Sequence, residues 1–346
     1  MPYIYALSAA FLFALSVPLG KTLLNSLKPL ELSALCYLGG GLGLFIYKLL
    51  SGRAERGAGE APFEKKDLPY VAGFTVAGGV LAPAFLFTGL NLSSSSAASL
   101  LLNFELVFTA LIAVLFFKEH GGRRFWLAAC LVTAGGMALS FEPGGFNLNP
   151  GLVFVALSSL MWALDNNLTA KVSLKDPVSL GIIKGLAGGS ATLCLAFYSG
   201  GVLPALKPMV LALMLGFVGY GVSLVFLIRA MRELGASRAG AFFGIYPFIG
   251  AALSFLWLGE SADARFAAAF ILMGLAAALL FGEKHAHAHD HTDIEHVHYH
   301  LHDGHHAHVH GPAAPGGAAH THAHIHEPVR HTHEHMPDSH HRHEHN

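Results

Sequence analysis

The sequence predicts an all-α membrane protein with ten transmembrane helices, arranged as two inverted five-helix repeats and followed by a disordered histidine-rich tail. The first supporting observation is composition. Of the 346 residues, 53% are hydrophobic and only 12% are charged, whereas a soluble domain devotes about a quarter of its residues to charge. The second is a series of long apolar segments, and the third is the concentration of histidine at the C-terminal end. Together these observations exclude a water-soluble globular protein and a nucleic-acid-binding protein.

The net charge of −1 conceals two unlike parts of the chain. Residues 1–282 contain 18 Lys and Arg against 13 Asp and Glu, a balance of +5. Residues 283–346 contain 3 against 9, a balance of −6, together with 23 of the 24 histidines. We therefore consider residues 1–282 as a membrane body and residues 283–346 as a separate tail.

The membrane body contains ten apolar segments that suit transmembrane helices, each of which needs about 20 mostly apolar residues. The uncharged stretch from Leu68 to Phe104 is divided at Asn91–Ser96, because small polar residues favour a tight turn. The predicted helices are Pro2–Leu23, Leu30–Leu50, Leu68–Leu90, Ser93–Phe117, Arg124–Phe141, Gly151–Lys171, Val178–Ser199, Met209–Ile228, Ala239–Leu258 and Phe266–Phe281.

The distribution of basic residues between the loops predicts the orientation, because cytoplasmic loops carry an excess of Lys and Arg. With the N-terminus in the cytoplasm, fourteen basic residues face inward and four, namely Lys21, Lys28, Lys207 and Arg265, face outward. Ten spans return the chain to the side on which it started. We therefore expect a protein of the inner (plasma) membrane with both termini in the cytoplasm.

An internal duplication is visible at the ends of helices four and nine. When Asn103–Glu119 is aligned without gaps on Gly244–Glu260, both segments end in Glu and share Ala and Leu at matching positions. This predicts a first repeat over residues 1–141, a second over residues 142–282, and the tail over residues 283–346. Because each repeat has an odd number of helices, the second copy crosses the membrane in the opposite sense, as in many secondary transporters. Glu119 and Glu260 themselves are interpreted as interfacial anchors.

With these ten segments, the duplication and the paired helix ends terminating in Glu, residues 1–282 resemble the EamA-type members of the drug/metabolite transporter superfamily. The resemblance implies a ten-helix inverted-repeat fold, cytoplasmic termini, and transport of a small organic solute, often outward. It does not extend to the tail. The chain departs from the family pattern at Glu105-Leu106, where proline is common, although Pro247 is present in helix nine.

Ionisable residues inside the bilayer are costly and usually functional, and three of them lie within the predicted helices. At the usual helical rise, Asp165, beside Asn166, lies roughly 9 Å from the C-terminal end of helix six. Lys184 lies roughly 12 Å from the N-terminal end of helix seven, which follows it through a short loop. The matching depths favour an Asp165–Lys184 ion pair, which has a structural role or takes part in transport.

Glu105 lies near the middle of helix four and has no partner that the sequence identifies. We therefore interpret it as a site that binds and releases a proton or binds a cation. The alternative is a protonated Glu105 that is hydrogen-bonded to a neighbouring helix. Together with Asp165, Asn166, Lys184 and Tyr246, Glu105 forms the predicted pathway for a substrate or ion, although ordinary packing equally explains Tyr246.

The tail contains too few apolar residues to form a core, so we expect it to be disordered. Its many imidazoles suit Zn²⁺, Ni²⁺, Co²⁺ or Cu²⁺. A cytoplasmic pH sensor and a solubilising appendage are the alternative interpretations of the tail. The predicted metal ligands are His285, His287, His289, His291, His296, His298, His300, His302, His305, His306, His308, His310, His320, His322, His324, His326, His331, His333 and His335.

The leading functional hypothesis is a secondary transporter that exports a small metabolite and carries a metal-binding cytoplasmic tail. A transporter of divalent Zn, Ni or Co cations and a membrane-anchored metal buffer or sensor are the alternatives. The sequence contains no phosphate-binding GxxxxGK[ST] motif, and no arrangement of residues in the body suggests an enzyme. No cofactor is expected to be required. The expected partners are the solute or ion, the lipid bilayer and divalent metal ions, with homodimer formation left open.

Overall fold

The structure is a computed structural model of the full chain. It describes residues 2–50, 63–117, 123–142, 145–146, 149–172, 175–234, 236–281, 285–290, 294–300, 320–326 and 330–335. Within these ranges the membrane body is helical apart from one two-residue β-ladder, in which β1 (Phe141–Glu142) pairs with β2 (Gly145–Phe146).

Each of the ten apolar segments predicted from the sequence coincides with helix. The α-helices are α1 (Pro2–Ala14), α2 (Ser16–Leu23), α3 (Pro29–Leu50), α4 (Leu68–Val76), α5 (Ala82–Leu92), α6 (Ser95–Leu101), α7 (Phe104–Phe117), α8 (Arg123–Leu139), α9 (Pro150–Ala170), α10 (Pro177–Ile183), α11 (Gly189–Tyr198), α12 (Leu206–Gly216), α13 (Ser223–Leu234), α14 (Ala236–Phe243), α15 (Tyr246–Leu258) and α16 (Ala264–Phe281). A short 3₁₀ turn at Lys65–Asp67 precedes α4.

Six continuous helical stretches within the described ranges are long and apolar enough, by length and composition, to cross a bilayer. They are Tyr3–Leu23, Pro29–Leu50, Lys65–Leu92, Pro150–Ala170, Pro177–Tyr198 and Leu206–Met231. Four further apolar helices, at Ser95–Thr109, Trp126–Leu139, Tyr246–Leu258 and Ala264–Leu279, are shorter. Large apolar side chains on these helices are exposed, including Leu115, Leu256 and Ile271, as expected for a surface that faces lipid.

The turn predicted between helices three and four lies at Ser93 and Ser94, between α5 and α6. The side chain of Ser94 caps α6 by accepting a hydrogen bond from the backbone amide of Ala97 at 3.4 Å. Helix four was predicted without an internal break and helix nine with one at Pro247, and both are interrupted. The first interruption separates α6 from α7 at residues 102–103, and the second separates α14 from α15 at residues 244–245.

Three of the long helical stretches contain a wider π-helical turn. These turns are π1 (Ala77–Leu81), π2 (Lys184–Gly188) and π3 (Phe217–Val222). The π2 turn packs directly on α3, because a Cβ atom on Gly185 would lie only 2.4 Å from the backbone nitrogen of Gly41. Such turns occur frequently at functional sites, and residues of π2 and π3 line the cavity described below.

Four short ranges of the tail are described as strands, and the disorder of the tail as a whole stays a prediction. They form β3 (His285–Asp290), β4 (Ile294–His300), β5 (His320–His326) and β6 (Arg330–His335). Strand β3 pairs with β6, and β4 pairs with β5, both in antiparallel register. The segments before and after the Pro/Gly/Ala-rich spacer are therefore paired with each other, while the rest of the tail lies outside the described residues.

Candidate functional site

A central cavity lies among the long helices. The cavity is lined by polar and aromatic side chains from several helices, together with glycines of α3 and the π turns: Phe13, Tyr37, Glu105, Trp162, Asp165, Asn166, Lys184, Tyr220, Ser223 and Phe243. Four of the five residues predicted for the pathway lie in this lining.

Asp165 and Lys184 form the ion pair that their depths predicted. Lys184 Nζ lies 2.5 Å from Asp165 Oδ2, and the two side chains are only 8% and 5% exposed. Thr169 donates a further hydrogen bond to Asp165 Oδ1 at 3.1 Å. The ammonium group also lies 5.7 Å from the centre of the Phe74 ring, within range of a cation–π interaction. Each charge of the pair is therefore compensated within the protein.

Gly78 of the π1 turn provides the space that Asp165 occupies. A Cβ atom at residue 78 would lie 2.2 Å from Asp165 Oδ2, which is far inside van der Waals contact. The ion pair therefore depends on close contact between α9 and a turn that has no side chain at this point.

The fifth predicted residue, Tyr246, contacts Glu105 directly. Its hydroxyl donates to Glu105 Oε2 at 2.6 Å, and Asn166 Nδ2 donates to Glu105 Oε1 at 2.7 Å. Glu105 therefore has two neutral donors, which come from helices remote in sequence and which the sequence did not identify. One donor is assigned to each oxygen of Glu105, an arrangement that an ionised carboxylate accepts and that a protonated one, donating to the Tyr246 oxygen, also fits. No Lys or Arg forms an ion pair with Glu105 among the described residues.

Glu105 and Tyr246 occupy equivalent positions in the internal duplication. The ungapped alignment that matches Asn103 with Gly244 also matches Glu105 with Tyr246. Each lies in the first turn of the helix that follows an interruption, Glu105 in α7 and Tyr246 in α15. Their hydrogen bond therefore joins two positions that the ungapped alignment matches.

Phe13 and Tyr37 are among the aromatic residues of the site that the sequence analysis does not single out. Phe13 is in contact with four rings, the closest being Tyr246 at 4.8 Å between centroids. Tyr37 donates a hydrogen bond to the backbone oxygen of Gly78 and accepts one from Trp162 Nε1 at 3.5 Å. Both lie in apolar segments where their spacing is that of ordinary core residues, so the sequence carries no signal that distinguishes them.

Tyr220, on the π3 turn, also lines the cavity. Tyr220 is 8% exposed. Its hydroxyl lies beside that of Ser16 and makes no hydrogen bond of standard geometry to a described residue.

Two ion pairs, one buried and one partly exposed, lie near the connection between α9 and α10. Lys175 Nζ lies 2.9 Å from Asp67 Oδ2, and Lys48 Nζ lies 2.5 Å from Asp176 Oδ2. Partial burial by itself raises the pKa of Asp176, but hydrogen bonds from Lys48 and Ser179 outweigh it and hold the pKa below its usual value. We call this end of the body the Lys171 end, and the opposite end, which carries residues 21–31 and 259–263, the Lys21 end.

A metal site is not present among the side chains that the structure describes, since no three His, Cys, Asp or Glu residues gather closely enough to hold an ion. The predicted tail ligands do not enter this finding. Only the backbone of those in β3–β6 is described, and His291, His302, His305, His306, His308 and His310 lie outside the described residues.

Comparisons with known proteins agree with this architecture. A protein named as an uncharacterized transporter from Methanothermobacter thermautotrophicus (strain Delta H) is 29% identical over 274 residues, which cover 75% of this chain and 79% of the relative. One protein of known crystal structure superposes with a TM-score of 0.59 at 18% identity, covering 80% of this chain and 94% of the other. This likeness concerns the fold alone.

The family assignment rests on the whole membrane body. Residues 1–141 and 149–282 both match the family model described as the EamA-like transporter family. Transport by a multi-pass membrane protein, not enzymatic catalysis, is the activity of this family. The chain is therefore a member of the EamA-like transporter family.

Proposed function

We propose that the protein is a secondary transporter that exports a small organic solute across the plasma membrane. In this proposal the ten helical segments all span the bilayer as two inverted five-helix repeats, with both termini in the cytoplasm. The two separate family matches support the repeats, and the excess of basic residues at the Lys171 end supports the orientation. The helix interruptions at equivalent positions in the two repeats support the inverted arrangement.

The observation that carries the proposal is the buried Glu105 carboxylate, which holds two neutral donors and lies at the junction of the two repeats. The other ionisable groups of the cavity are Asp165 and Lys184, which neutralise each other, and the two hydroxyls of Tyr37 and Tyr220. Glu105 is therefore the acidic group that we assign to binding a proton or a cation.

Protonation of Glu105 changes the contact between the repeats. An ionised carboxylate accepts from both Tyr246 and Asn166, and both hydrogen bonds are strengthened by its charge. A protonated carboxyl keeps less acceptor capacity and loses this charge assistance. Loading a proton therefore weakens the Glu105–Tyr246 hydrogen bond and shifts the equilibrium between the two arrangements of the repeats. The solute, held beside the Asp165–Lys184 pair and the Tyr220 hydroxyl, moves with that change.

The proposal is tested with the full chain reconstituted in liposomes under an imposed pH gradient. A panel of amino acids, nucleotides and the ions Zn²⁺, Ni²⁺ and Co²⁺ is supplied, and accumulation is compared for the unchanged protein and for Glu105→Gln. We expect the unchanged protein to move at least one solute in response to the gradient and Glu105→Gln to lose that response.

Asp263→Asn provides a matched control, because Asp263 is an exposed carboxylate remote from the cavity. It is expected to transport normally. Proton-driven flux that is undiminished in Glu105→Gln would contradict the role of Glu105. If flux persists in Glu105→Gln but no longer depends on pH, the protein is a transporter and Glu105 is its coupling site.

For the tail we propose binding of Zn²⁺, Ni²⁺, Co²⁺ or Cu²⁺. The backbone register supports this, since it pairs His287 with His333 and His289 with His331, and it pairs histidine with histidine at three positions of β4 and β5. Alternate residues of a strand share a face, so pairs of histidines from both segments occupy one face of each ladder. Imidazole binds these metals in its neutral form, so the affinity is expected to fall as the pH drops through about 6.5.

Comparing the full chain with a truncated protein that ends at Lys284 distinguishes between the functional alternatives. Organic flux that responds to added Zn²⁺ only in the full chain would make the tail a regulator. Metal flux that survives truncation would place the metal in the cavity, as the divalent-cation alternative requires. Metal binding by the full chain without flux of any member of the panel would favour the metal buffer. Binding of equal strength to both chains would contradict a metal-binding tail.

A further inference from the structure

The turn between α5 and α6, at the Lys21 end, is held from both sides by charged side chains. Lys21 Nζ donates to the backbone oxygens of Leu90 at 2.7 Å and Ser93 at 2.8 Å. The carboxylate of Glu260 accepts from the backbone amides of Ser95 and Ser96, each at 2.8 Å. We call Lys21, Glu260 and the backbone groups that they bind the Lys21–Glu260 gate.

Each charge lies at the helix end that it complements. The last carbonyl groups of a helix are unpaired and carry partial negative charge, and they receive the Lys21 ammonium at the end of α5. The first amide groups are unpaired and carry partial positive charge, and they receive the Glu260 carboxylate at the start of α6. Each carboxylate oxygen accepts from a different amide, so the contact fixes the orientation of the Glu260 carboxylate in addition to matching its charge.

The gate joins parts of the chain that belong to different repeats. Glu260 follows α15 through Gly259, whose φ of 65° turns the chain back toward the bundle. Ser95 and Glu260 are separated by 165 positions in the sequence. A second contact joins the same elements below the gate, where the hydroxyl oxygens of Ser95 and Ser254 lie 2.8 Å apart in a buried hydrogen bond.

A layer of fully buried apolar residues separates the gate from the cavity. Val17 lies in the chain between Phe13 of the cavity and Lys21 of the gate, and it is 1% exposed. Leu86 and Leu90 in α5 and Leu102, just after α6, are also fully buried. Toward the Lys171 end, the cavity lining continues to Gly181, near the start of α10. In the described state the Lys21 end is therefore closed.

We propose that Lys21 and Glu260 are positioning residues for transport, whose contacts with the α5–α6 turn keep the Lys21 end closed and are released when the cavity opens toward that side. The inference rests on the proposed function, because it assigns these contacts to one half of an alternating-access cycle. It requires α6 to separate from α15 as the two repeats move. Neither residue contacts the solute.

The first test measures access to the buried layer and needs no substrate. Val17→Cys is introduced into the full chain with Cys36, Cys130 and Cys194 replaced by Ala, and the protein is placed in lipid nanodiscs. The rate of reaction with a hydrophilic maleimide is then compared with and without Glu260→Gln or Lys21→Met. We expect each substitution to raise the rate about tenfold or more, because losing one charge-assisted hydrogen bond shifts a two-state equilibrium by about that factor.

Glu260→Asp and Asp263→Asn are the controls. The shorter carboxylate of Glu260→Asp keeps the charge, so partial recovery of the slow rate is expected. Asp263 is a carboxylate at the same end that caps α16 through the amide of Phe266 at 2.8 Å, within its own repeat. Asp263→Asn is therefore expected to leave the labelling rate unchanged. Unchanged labelling in folded Glu260→Gln and Lys21→Met proteins would overturn the proposal.

The second test prevents the gate from opening. Cysteines at residues 95 and 254, in the same background without native cysteines, replace two hydroxyls that are already in contact. Oxidation is expected to stop solute flux, and reduction is expected to restore it, while the single variants Ser95→Cys and Ser254→Cys are insensitive to the oxidant. Full flux through the cross-linked protein would overturn the proposal. Because labelling does not depend on flux, absence of transport in the liposome assay would refute the proposed function and leave the gate to be decided by the Val17→Cys rates.

Discussion

Asp165 and Glu105 are both buried carboxylates in the central cavity, and they differ in what neutralises them. Asp165 has the Lys184 ammonium at 2.5 Å, whereas Glu105 has the uncharged donors of Asn166 and Tyr246. The charge of Asp165 is matched by a cation within the protein. Neutral donors allow Glu105 to gain and lose a proton without leaving another charge exposed. The comparison separates a structural acid from one that is suited to transport.

The largest expected effect comes from removing the cation of the structural pair. Lys184→Met leaves Asp165 buried without its partner, and breaking a buried pair in this way costs about 3–5 kcal/mol. We expect a large fall in thermal stability of the purified protein, measured by unfolding in detergent. Asp165→Asn combined with Lys184→Met should recover most of the loss. A single Lys184→Met variant as stable as the unchanged protein would remove the distinction between the two acids.

The second-largest effect on stability is expected for Tyr246, one of the two hydrogen-bond donors to Glu105. Tyr246→Phe removes one hydrogen bond to a charged group, which is worth about 1.5–3 kcal/mol. We expect a smaller fall in thermal stability than for Lys184→Met, together with a change in the pH dependence of flux. In the Glu105→Gln background the same substitution should cost less, because its charged acceptor is already absent. Equal losses in the two backgrounds, measured as a double-mutant cycle, would show that the residues are not coupled.

Tyr220→Phe tests a polar group of the cavity that neither acid uses. Its hydroxyl makes no hydrogen bond of standard geometry to a described residue, so removing it should leave thermal stability unchanged or slightly higher. Flux at low solute concentration should fall if the hydroxyl binds solute, and we expect this as a higher KM with the maximal rate retained. A clear loss of stability would instead show that the hydroxyl has a partner within the protein.

The smallest effect is expected for a carboxylate at the water interface. The hydrogen bonds from Lys48 and Ser179 lower the pKa of Asp176 in spite of partial burial. The stability that these contacts provide is therefore present above the unfolded pKa of about 3.9 and is lost as the pH falls through the lower folded value. Asp176→Asn should cost only about 0–1 kcal/mol at neutral pH, because water screens the pair. Thermal unfolding curves of the two proteins should converge as the pH falls below about 4; a constant difference would contradict this origin.

Local features of the sequence predicted much of the fold and one part of the site. Apolar length placed each helix within a few residues, and the Asp165–Lys184 pair followed from depth because α9 and α10 are joined by a short connection. The Glu105–Tyr246 contact joins residues 141 positions apart, so it depends on how the two repeats pack. Glu260 was interpreted as an interfacial anchor, because sequence does not show which helix end a terminal carboxylate reaches.

The wider turns π1, π2 and π3 have a consequence for insertions and deletions during evolution. Each of these turns accommodates more backbone than an α-helical turn, so losing one residue there would convert the segment to regular α-helix. Because the wide turn holds the extra residue, the helix on either side of the deletion would keep its facing, whereas a deletion in regular α-helix rotates one side by roughly 100° relative to the other. In π2 such a deletion would alter the turn that carries Lys184, the partner of Asp165, and leave the rest of the helix in place. The π turns are therefore points at which one residue can be lost in a descendant with a change at the cavity and little disturbance of the bundle.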